Sequence, residues 1–332
     1  MIWTRRAAGC AVVAVLALVL AACGSSERGT TTAAPPTTDP YLAVKVKEQA
    51  AENRALQRKI ARTKREQARA AAAEDEGEDG SGAGSSGDGT AGAATEASFA
   101  KLAAGLGGEV GVAYGPAGLD QPVTTLGPLQ TGVAWSTAKV PVAVATVRAD
   151  GGSPSGDHAG LMRSAITASD NAAAESLWSG LGGGAAAGAK VQAVLADAGD
   201  GDTQVQTERV RSGFTAFGQT EWPLPAAERL AAALPCLDGA GPVLDLMGQV
   251  TSDQSWGLGQ AGANQRFKGG WGPDENGKYL VRQMGLIDVD GGTVAVAIAA
   301  KPSDGSLESG SAQLTQLAQW VAEHARGSAV KC

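Results

Sequence analysis

The stretch from Ala97 to Cys332 of this 332-residue chain predicts an α+β domain, an antiparallel sheet flanked by helices with a helical lobe inserted between its strands. Three observations predict it. Short runs rich in Val, Ile and Tyr stand at both ends of the stretch, Glu109 to Tyr114 and Val123 to Leu126 early, Tyr279 to Ile287 and Thr293 to Ala300 late. Ala- and Leu-rich segments with helical spacing fill the middle. About 235 residues suffice for one sizeable core, so the terminal strands can meet in a single sheet.

The segments before that domain differ in kind. Arg5 and Arg6 precede an apolar run, Ala7 to Ala22, too short and too Ala-rich for a membrane-spanning helix. Residues 1–22 read as a signal peptide. Its end, Leu20-Ala21-Ala22-Cys23-Gly24, resembles the bacterial lipobox, in which the cysteine receives lipid and the chain is cut before it. The expectation is an extracytoplasmic protein lipid-anchored to the bacterial cell membrane through Cys23; an ordinary signal peptide that contains a cysteine is the alternative. Residues 23–40, rich in Ser, Thr and Pro, read as a disordered tether. Residues 41–79 read as a charged helical spacer. Tyr41 to Ala73 has no Gly or Pro, carries a thin apolar stripe of Val46, Leu56 and Ile60, and has more basic than acidic side chains. Such a helix can lie on anionic lipid or wall polymer, or serve only as a solvated spacer. Residues 80–96 read as a flexible Gly/Ser/Ala linker.

Within the domain, residues 97–332, the elements follow in order. Phe99 to Leu106 is a short helix, and the two early strands form a hairpin. Ser136 to Arg148 is helical, as are Ala159 to Ala168 and Asn171 to Leu181 on either side of Ser169-Asp170. Ala189 to Ala198 is the next helix. Pro225 to Leu234 follows, opened by proline in its first turn, and then Val243 to Val250. Gln265 to Lys268 is a strand ending in a Gly-rich turn, and the two late strands come after it. Ser311 to Ala325 closes the domain as an amphipathic helix with Leu314, Leu317, Ala318 and Val321 on one face.

The charge balance from Ala97 onward, 15 Lys and Arg against 22 Asp and Glu, argues against a nucleic-acid partner. His158, His324 and the domain's two cysteines make no convincing ligand set, so no metal is expected. No cofactor is expected either, because Gly182-Gly183-Gly184 lacks the strand-to-helix context of a phosphate loop. Cys10 leaves with the signal and Cys23 takes lipid. Cys236 and Cys332 then remain, and in an oxidising compartment they are expected to pair; two free or buried thiols are the alternative.

Three short motifs carry the chemistry: Ser136-Thr137-Ala138-Lys139, Ser169-Asp170-Asn171 and Lys268-Gly269-Gly270. A serine hydroxyl is a poor nucleophile until a base takes its proton. Neither histidine has the surroundings of such a base. Lysine can serve if burial and neighbouring positive charge keep it neutral. Three residues apart on a helix, Ser136 and Lys139 share a face, and at the helix start the Ser136 N–H is free to form half of an oxyanion hole. Ser169 can relay a proton to a leaving amine, and Asn171 can hold Lys139 or a substrate amide. Ser169 or Asp170 also reads as a helix cap, and both uses are compatible. Lys268 can anchor a carboxylate and raise the local potential. The glycines after it allow substrate close to the backbone, and the Trp271 N–H can complete the oxyanion hole.

In type, order and context these motifs resemble the penicillin-recognising serine hydrolases, the class A β-lactamases and penicillin-binding D,D-peptidases, over roughly Phe99 to Val330. The resemblance implies that Ser136 is acylated with Lys139 as its base, that Ser169 and Asn171 form the second element, and that Lys268 and Gly270 form the third. It makes Arg282 an extra carboxylate partner and implies a β-lactam or peptidoglycan-type small substrate. The chain departs from the pattern at three points. Gly269 replaces a hydroxyl residue that contacts the substrate carboxylate. The stretch between Lys139 and Ser169 is short, so the helical lobe is trimmed. Glu208, at about the right distance before Pro225 to activate a deacylating water, is followed four residues on by Ser212 rather than Asn. Two readings result. One is a membrane-anchored serine hydrolase forming an acyl-enzyme on Ser136 with β-lactams, D-alanyl peptides or related amides and esters. The other is a catalytically inactive protein of the same fold serving as a cell-envelope binding module.

Overall fold

The computed structural model describes residues 88–332. The signal peptide, Cys23, the Ser/Thr/Pro tether, the charged spacer and the first part of the linker lie outside the described residues.

The elements are α1 (Asp88–Leu106), β1 (Gly108–Pro116), β2 (Thr124–Leu126), α2 (Lys139–Ala149), α3 (His158–Thr167), α4 (Asn171–Gly180), α5 (Gly184–Asp197), α6 (Leu224–Ala233), α7 (Gly241–Met247), β3 (Ala263–Pro273), β4 (Tyr279–Val289), β5 (Gly292–Pro302) and α8 (Leu307–His324). The five strands form one antiparallel sheet in the order β2-β1-β5-β4-β3. N- and C-terminal strands therefore meet at β1–β5, where Val112 pairs with Ile298, and the expected α+β architecture holds.

The alternation of β5 decides how the layers stack. Val294, Val296 and Ile298 face one core, with Leu314, Leu317 and Val321 of α8 and Phe99 of α1. Ala295, Ala297 and Ala299 point the other way, into the core shared with α6 and the helical lobe. Methyl side chains on that face let α6 lie close to β1, β4 and β5. Within the lobe, α2 is apolar on all sides, with Val140, Val142, Val144 and Val147 at most 1 % exposed. A helix of that kind is enclosed by others, here α3, α4, α5 and α7.

Several boundaries differ from the sequence reading, four of them informatively. α1 begins at Asp88, inside the stretch read as linker, where the run Ala91-Gly92-Ala93-Ala94 is rich in the best helix former. α5 begins at Gly184, before the expected Ala189, again through alanines. The Ser136 helix opens as a 3-10 turn, Trp135–Ala138, before the α-helix proper. The most consequential is β3, which does not stop at Lys268 but runs on through Gly269, Gly270 and Trp271 to Pro273. Glycine normally weakens a strand, and here it marks close approach of another backbone.

Cys236 and Cys332 form a disulfide with Cα atoms 5.4 Å apart, closing 96 residues of sequence. Leu119 N donates to Lys331 O at 2.9 Å beside it, so the C-terminal segment is tied to the loop after β1. Long closed loops give a disulfide its largest effect on the unfolded chain. Replacing both cysteines by serine is expected to lower unfolding free energy by about 2–5 kcal/mol, read as a lower urea midpoint for the double variant than for the oxidised parent.

Candidate active site

Ser136 is the second residue of the 3-10 turn, and the Lys139 N–H bonds back to Ser136 O. Side chains at i and i+3 eclipse in a 3-10 turn, so Ser136 and Lys139 project to the same side. Trp135, just before, holds a left-handed φ of 49°. Bulky residues avoid that region, and it survives only where the surroundings impose it. They do so here. Ala134 N donates to Thr220 O at 2.7 Å, and the indole packs against Phe214 with centroids 5.1 Å apart. The Arg211 guanidinium lies 5.9 Å from the Trp135 ring and 4.7 Å from that of Phe214. It also donates to Pro273 O at 2.7 Å, which ties the loop before α6 to the end of β3.

β3 closes the other side. A Cβ on Gly270 would stand 2.8 Å from Ser136 N and 2.9 Å from Ala134 O, and one on Gly272 would stand 2.7 Å from the Trp135 ring. Only glycine lets the strand come this near. Gly270 therefore packs against the turn that carries Ser136.

Ser169 has φ 58°, a second non-glycine residue in the left-handed region. Its turn is held by Asp170 N donating to Ser164 O at 3.1 Å and by Gln254 Nε2 donating to Ala168 O at 3.0 Å. Asp170 caps α4 by accepting from Ala173 N at 2.9 Å, so the capping and chemical uses of this motif coexist. Lys139 Nζ donates to Ser169 O at 2.6 Å and Asn171 Oδ1 at 2.7 Å, and lies 3.4 Å from Ser169 Oγ. Lys268 Nζ donates to Ser169 Oγ at 2.8 Å and Gly269 O at 2.8 Å. The structure thus joins Lys139, Ser169, Asn171 and Lys268 in one hydrogen-bonded cluster; Gly270 packs on the Ser136 backbone, and among the described residues the Ser136 hydroxyl makes no hydrogen bond to Lys139.

Both amines are buried, Lys139 1 % and Lys268 0 % exposed. Burial pulls Lys139 down to about 7, against the raising influence of Asp170 and Glu175. Lys268 is lowered well below its usual value, first by burial and then by the positive charge of Lys139. Lys268 does not reach the surface, so its influence on a ligand passes through Ser169 Oγ.

Other expected residues are placed differently. Arg282 is not open to a substrate carboxylate. It is 1 % exposed and donates to Gly132 O at 2.8 Å and Trp222 O at 2.9 Å. It pairs in register with Gly270, and that face of β4 is covered by the segments around Gly132 and Trp222. Glu208 is exposed on the loop before α6 and makes no hydrogen bond to Lys139. His158 pairs with Asp150 at 2.8 Å. His324 contacts Ser98 Oγ at 2.9 Å, but that hydroxyl also accepts from Trp320 Nε1 and ties α1 to α8. Neither histidine joins the cluster. Among the described residues there is no group of three or more His, Cys, Asp or Glu that could hold a metal.

The sequence reading missed Trp256 and Gln283. Gln283 is fully buried; it donates to Trp256 O at 2.9 Å and accepts from Leu258 N at 2.7 Å. That fixes Trp256 beneath Gly269, where an added Cβ would stand 3.2 Å from the indole. Trp256 also meets Trp271 edge-on at 5.7 Å. The side-chain space at residue 269 is therefore filled by tryptophan. The only sequence signal was the glycine itself.

No protein-family model matches the chain, and no curated protein does. Solved structures do. A β-lactamase from Chitinophaga pinensis is similar with a TM-score of 0.56 and 16% identity, covering 69% of this chain and 98% of that one. A class A β-lactamase from Mycobacterium abscessus is similar at 0.54 and 16%, covering 69% and 98%. An ancestral Gram-negative class A β-lactamase is similar at 0.52 and 21%, covering 69% and 99%. The described domain has the fold of the class A β-lactamases.

Gly269→Thr is expected to lower stability by about 1–3 kcal/mol, because the new side chain meets the Trp256 ring. Adding Trp256→Leu should recover part of the loss. Equal urea midpoints for Gly269→Thr and the parent would contradict the packing described.

Proposed function

We propose that this chain is a serine hydrolase that forms an acyl-enzyme on Ser136 with β-lactams, D-alanyl peptides or related amides and esters, and that it is carried outside the cytoplasm on a lipid anchor at Cys23. The observation that carries the catalytic reading is the pair of buried lysines joined through Ser169 beside the Ser136 turn.

A neutral lysine amine has two N–H bonds and one lone pair. The two N–H groups of Lys139 are committed to Ser169 O and Asn171 Oδ1. The lone pair is left to take a proton, and the Ser136 hydroxyl lies on the same side of the turn. With its basicity drawn down to about 7, a large share of Lys139 is unprotonated at neutral pH. Ser136 Oγ then attacks the substrate carbonyl carbon as its proton passes to Lys139. The oxyanion is held by backbone N–H groups, those of Ser136 at the head of its turn and Trp271 on edge strand β3. As the C–N bond breaks, the proton moves from Lys139 through Ser169 Oγ to the leaving nitrogen, and Lys268 donates to that oxygen. Water later cleaves the ester. Glu208, exposed and not bonded to Lys139, does not stand ready to activate that water. A long-lived acyl-enzyme follows, which favours a penicillin-binding or peptidase role over rapid drug hydrolysis.

The anchor reading rests on the junction Leu20-Ala21-Ala22-Cys23-Gly24 alone. The likeness of the domain to β-lactamases supports a β-lactam-like small substrate.

A fluorescent penicillin is expected to add its mass to the peptide containing Ser136, and Ser136→Ala should take no label while keeping its circular dichroism. Labelling of that variant would sink the assignment. Lys139 is depressed, so its neutral form accumulates as pH rises; the acylation rate should climb about tenfold per pH unit below about 7 and level off above it. Cys23→Ala expressed in bacteria should move the protein from the membrane fraction to the soluble fraction and abolish palmitate incorporation; retention of the lipid would refute the anchor.

A further inference from the structure

The two N–H groups assigned to the oxyanion sit on different segments, Ser136 N on the Trp135–Ala138 turn and Trp271 N on β3. Among the described residues no backbone hydrogen bond joins that turn to β3. Gly270 packs on the turn without bonding to it. Arg282 reaches only the approach to the turn, at Gly132 O, and does so from β4. An oxyanion hole works when its donors are aimed at one point, so some other contact has to set the spacing of these two.

Arg211 touches both segments beside the donors. Its guanidinium lies 5.9 Å from the ring of Trp135, the residue before Ser136. Nη1 donates to Pro273 O at 2.7 Å, two residues past Trp271, and Nη2 lies 3.5 Å from Asp274 O. The ring of Phe214 packs on it at 4.7 Å. Among the described residues no carboxylate pairs with it. Its fork and its flat face are turned to carbonyls and rings instead of to a counter-ion.

The guanidinium is itself held in place. Arg211 N donates to Gln219 Oε1 at 2.6 Å, and Gln219 Nε2 donates to Arg211 O at 3.3 Å and Thr215 O at 3.2 Å. Gln219 is buried, which shields these bonds from water. The same loop supplies Thr220 O to Ala134 N at 2.7 Å. Residues 211–220 thus grip the left-handed Trp135 twice, at the backbone before it and at its ring.

We propose that Arg211 is a positioning residue for acyl transfer, acting through Trp135 and Pro273 to hold the Ser136 and Trp271 N–H groups at the spacing that receives the oxyanion. The inference rests on the Ser136 acyl-enzyme reading. Oxyanion contacts strengthen in the transition state, so misaligning them slows the chemical step and spares ground-state binding. Lysine keeps the charge and one donor, but it has no planar face for two rings and no second prong.

The test is rapid-mixing acylation of the full chain by a fluorescent penicillin, resolved into non-covalent affinity and limiting rate. The infrared carbonyl stretch of the acyl-enzyme is the second readout. Arg211→Met is expected to lower the limiting rate about 10–100-fold, less than loss of a whole donor does, and to change the affinity less than about twofold. The pH midpoint of about 7 set by Lys139 should stay where it is. The carbonyl band should move to higher wavenumber, toward that of an ester without hydrogen bonds. Arg211→Lys should fall short of the parent rate and show the same band shift, and it decides the matter if Arg211→Met does not fold. No label on the parent removes the Ser136 reading and this inference with it. A labelled parent whose Arg211→Lys variant keeps the limiting rate or the carbonyl band overturns this inference alone. A loss of affinity in place of rate would make Arg211 a substrate contact, and a moved pH midpoint would place its effect on Lys139; either also overturns it.

Discussion

The bridge from Lys139 through Ser169 to Lys268 is the interaction on which the rest of the site depends. Two amines buried side by side would repel each other and each would lose its hydration. Ser169 meets that difficulty with two atoms, its carbonyl accepting from Lys139 and its hydroxyl from Lys268. A residue in an ordinary extended or helical conformation does not normally present both groups to one point. The left-handed φ of Ser169 does so, and the supports from Ser164 O and Gln254 hold it there. Strain at this residue and depressed basicity of the lysines are two aspects of one arrangement.

Glycine geometry sets how close the layers come. β3 carries Lys268 into the cluster only because Gly270 and Gly272 let the strand lie on the Trp135–Ala138 turn. On the opposite face of β3, Gly269 leaves its space to Trp256, whose backbone carbonyl accepts from Gln283 of β4. The same strand therefore brings catalytic-type groups together on one side and is packed shut on the other. The missing hydroxyl at residue 269 is thus a replacement, with an aromatic ring standing where a polar side chain would have reached. Arg211 plays the matching part at the far end of β3, fastening the loop before α6 across Trp135 to Pro273.

Much of this was legible in the residues themselves. The two late strands, the helix after Ser136, the proline-opened α6 and the pairing of Cys236 with Cys332 follow from periodicity, turn chemistry and cysteine arithmetic, which are local or nearly so. The five polar residues of the site could be named because they fall in three short motifs whose type and order resemble those of the penicillin-recognising serine hydrolases. What failed were judgements about distance. Lys268-Gly269-Gly270 looked like a strand end because glycine is a poor strand former; the close packing of the Ser136 turn on β3 overrides that propensity. Arg282 looked available for a substrate because no local signal marks which face of a strand another segment will cover; Gly132 and Trp222 cover it. Trp256, Gln283 and Arg211 carry no pattern at all.

By itself, then, the order of residues determined the elements, the sheet's membership and the kinds of chemistry the three motifs can perform, because each rests on backbone preference and side-chain type. Only the tertiary structure decided that two lysines 129 positions apart share one serine and that a tryptophan fills the place of a hydroxyl. Those facts depend on burial and on separations of a few ångströms between distant segments, and sequence spacing encodes neither.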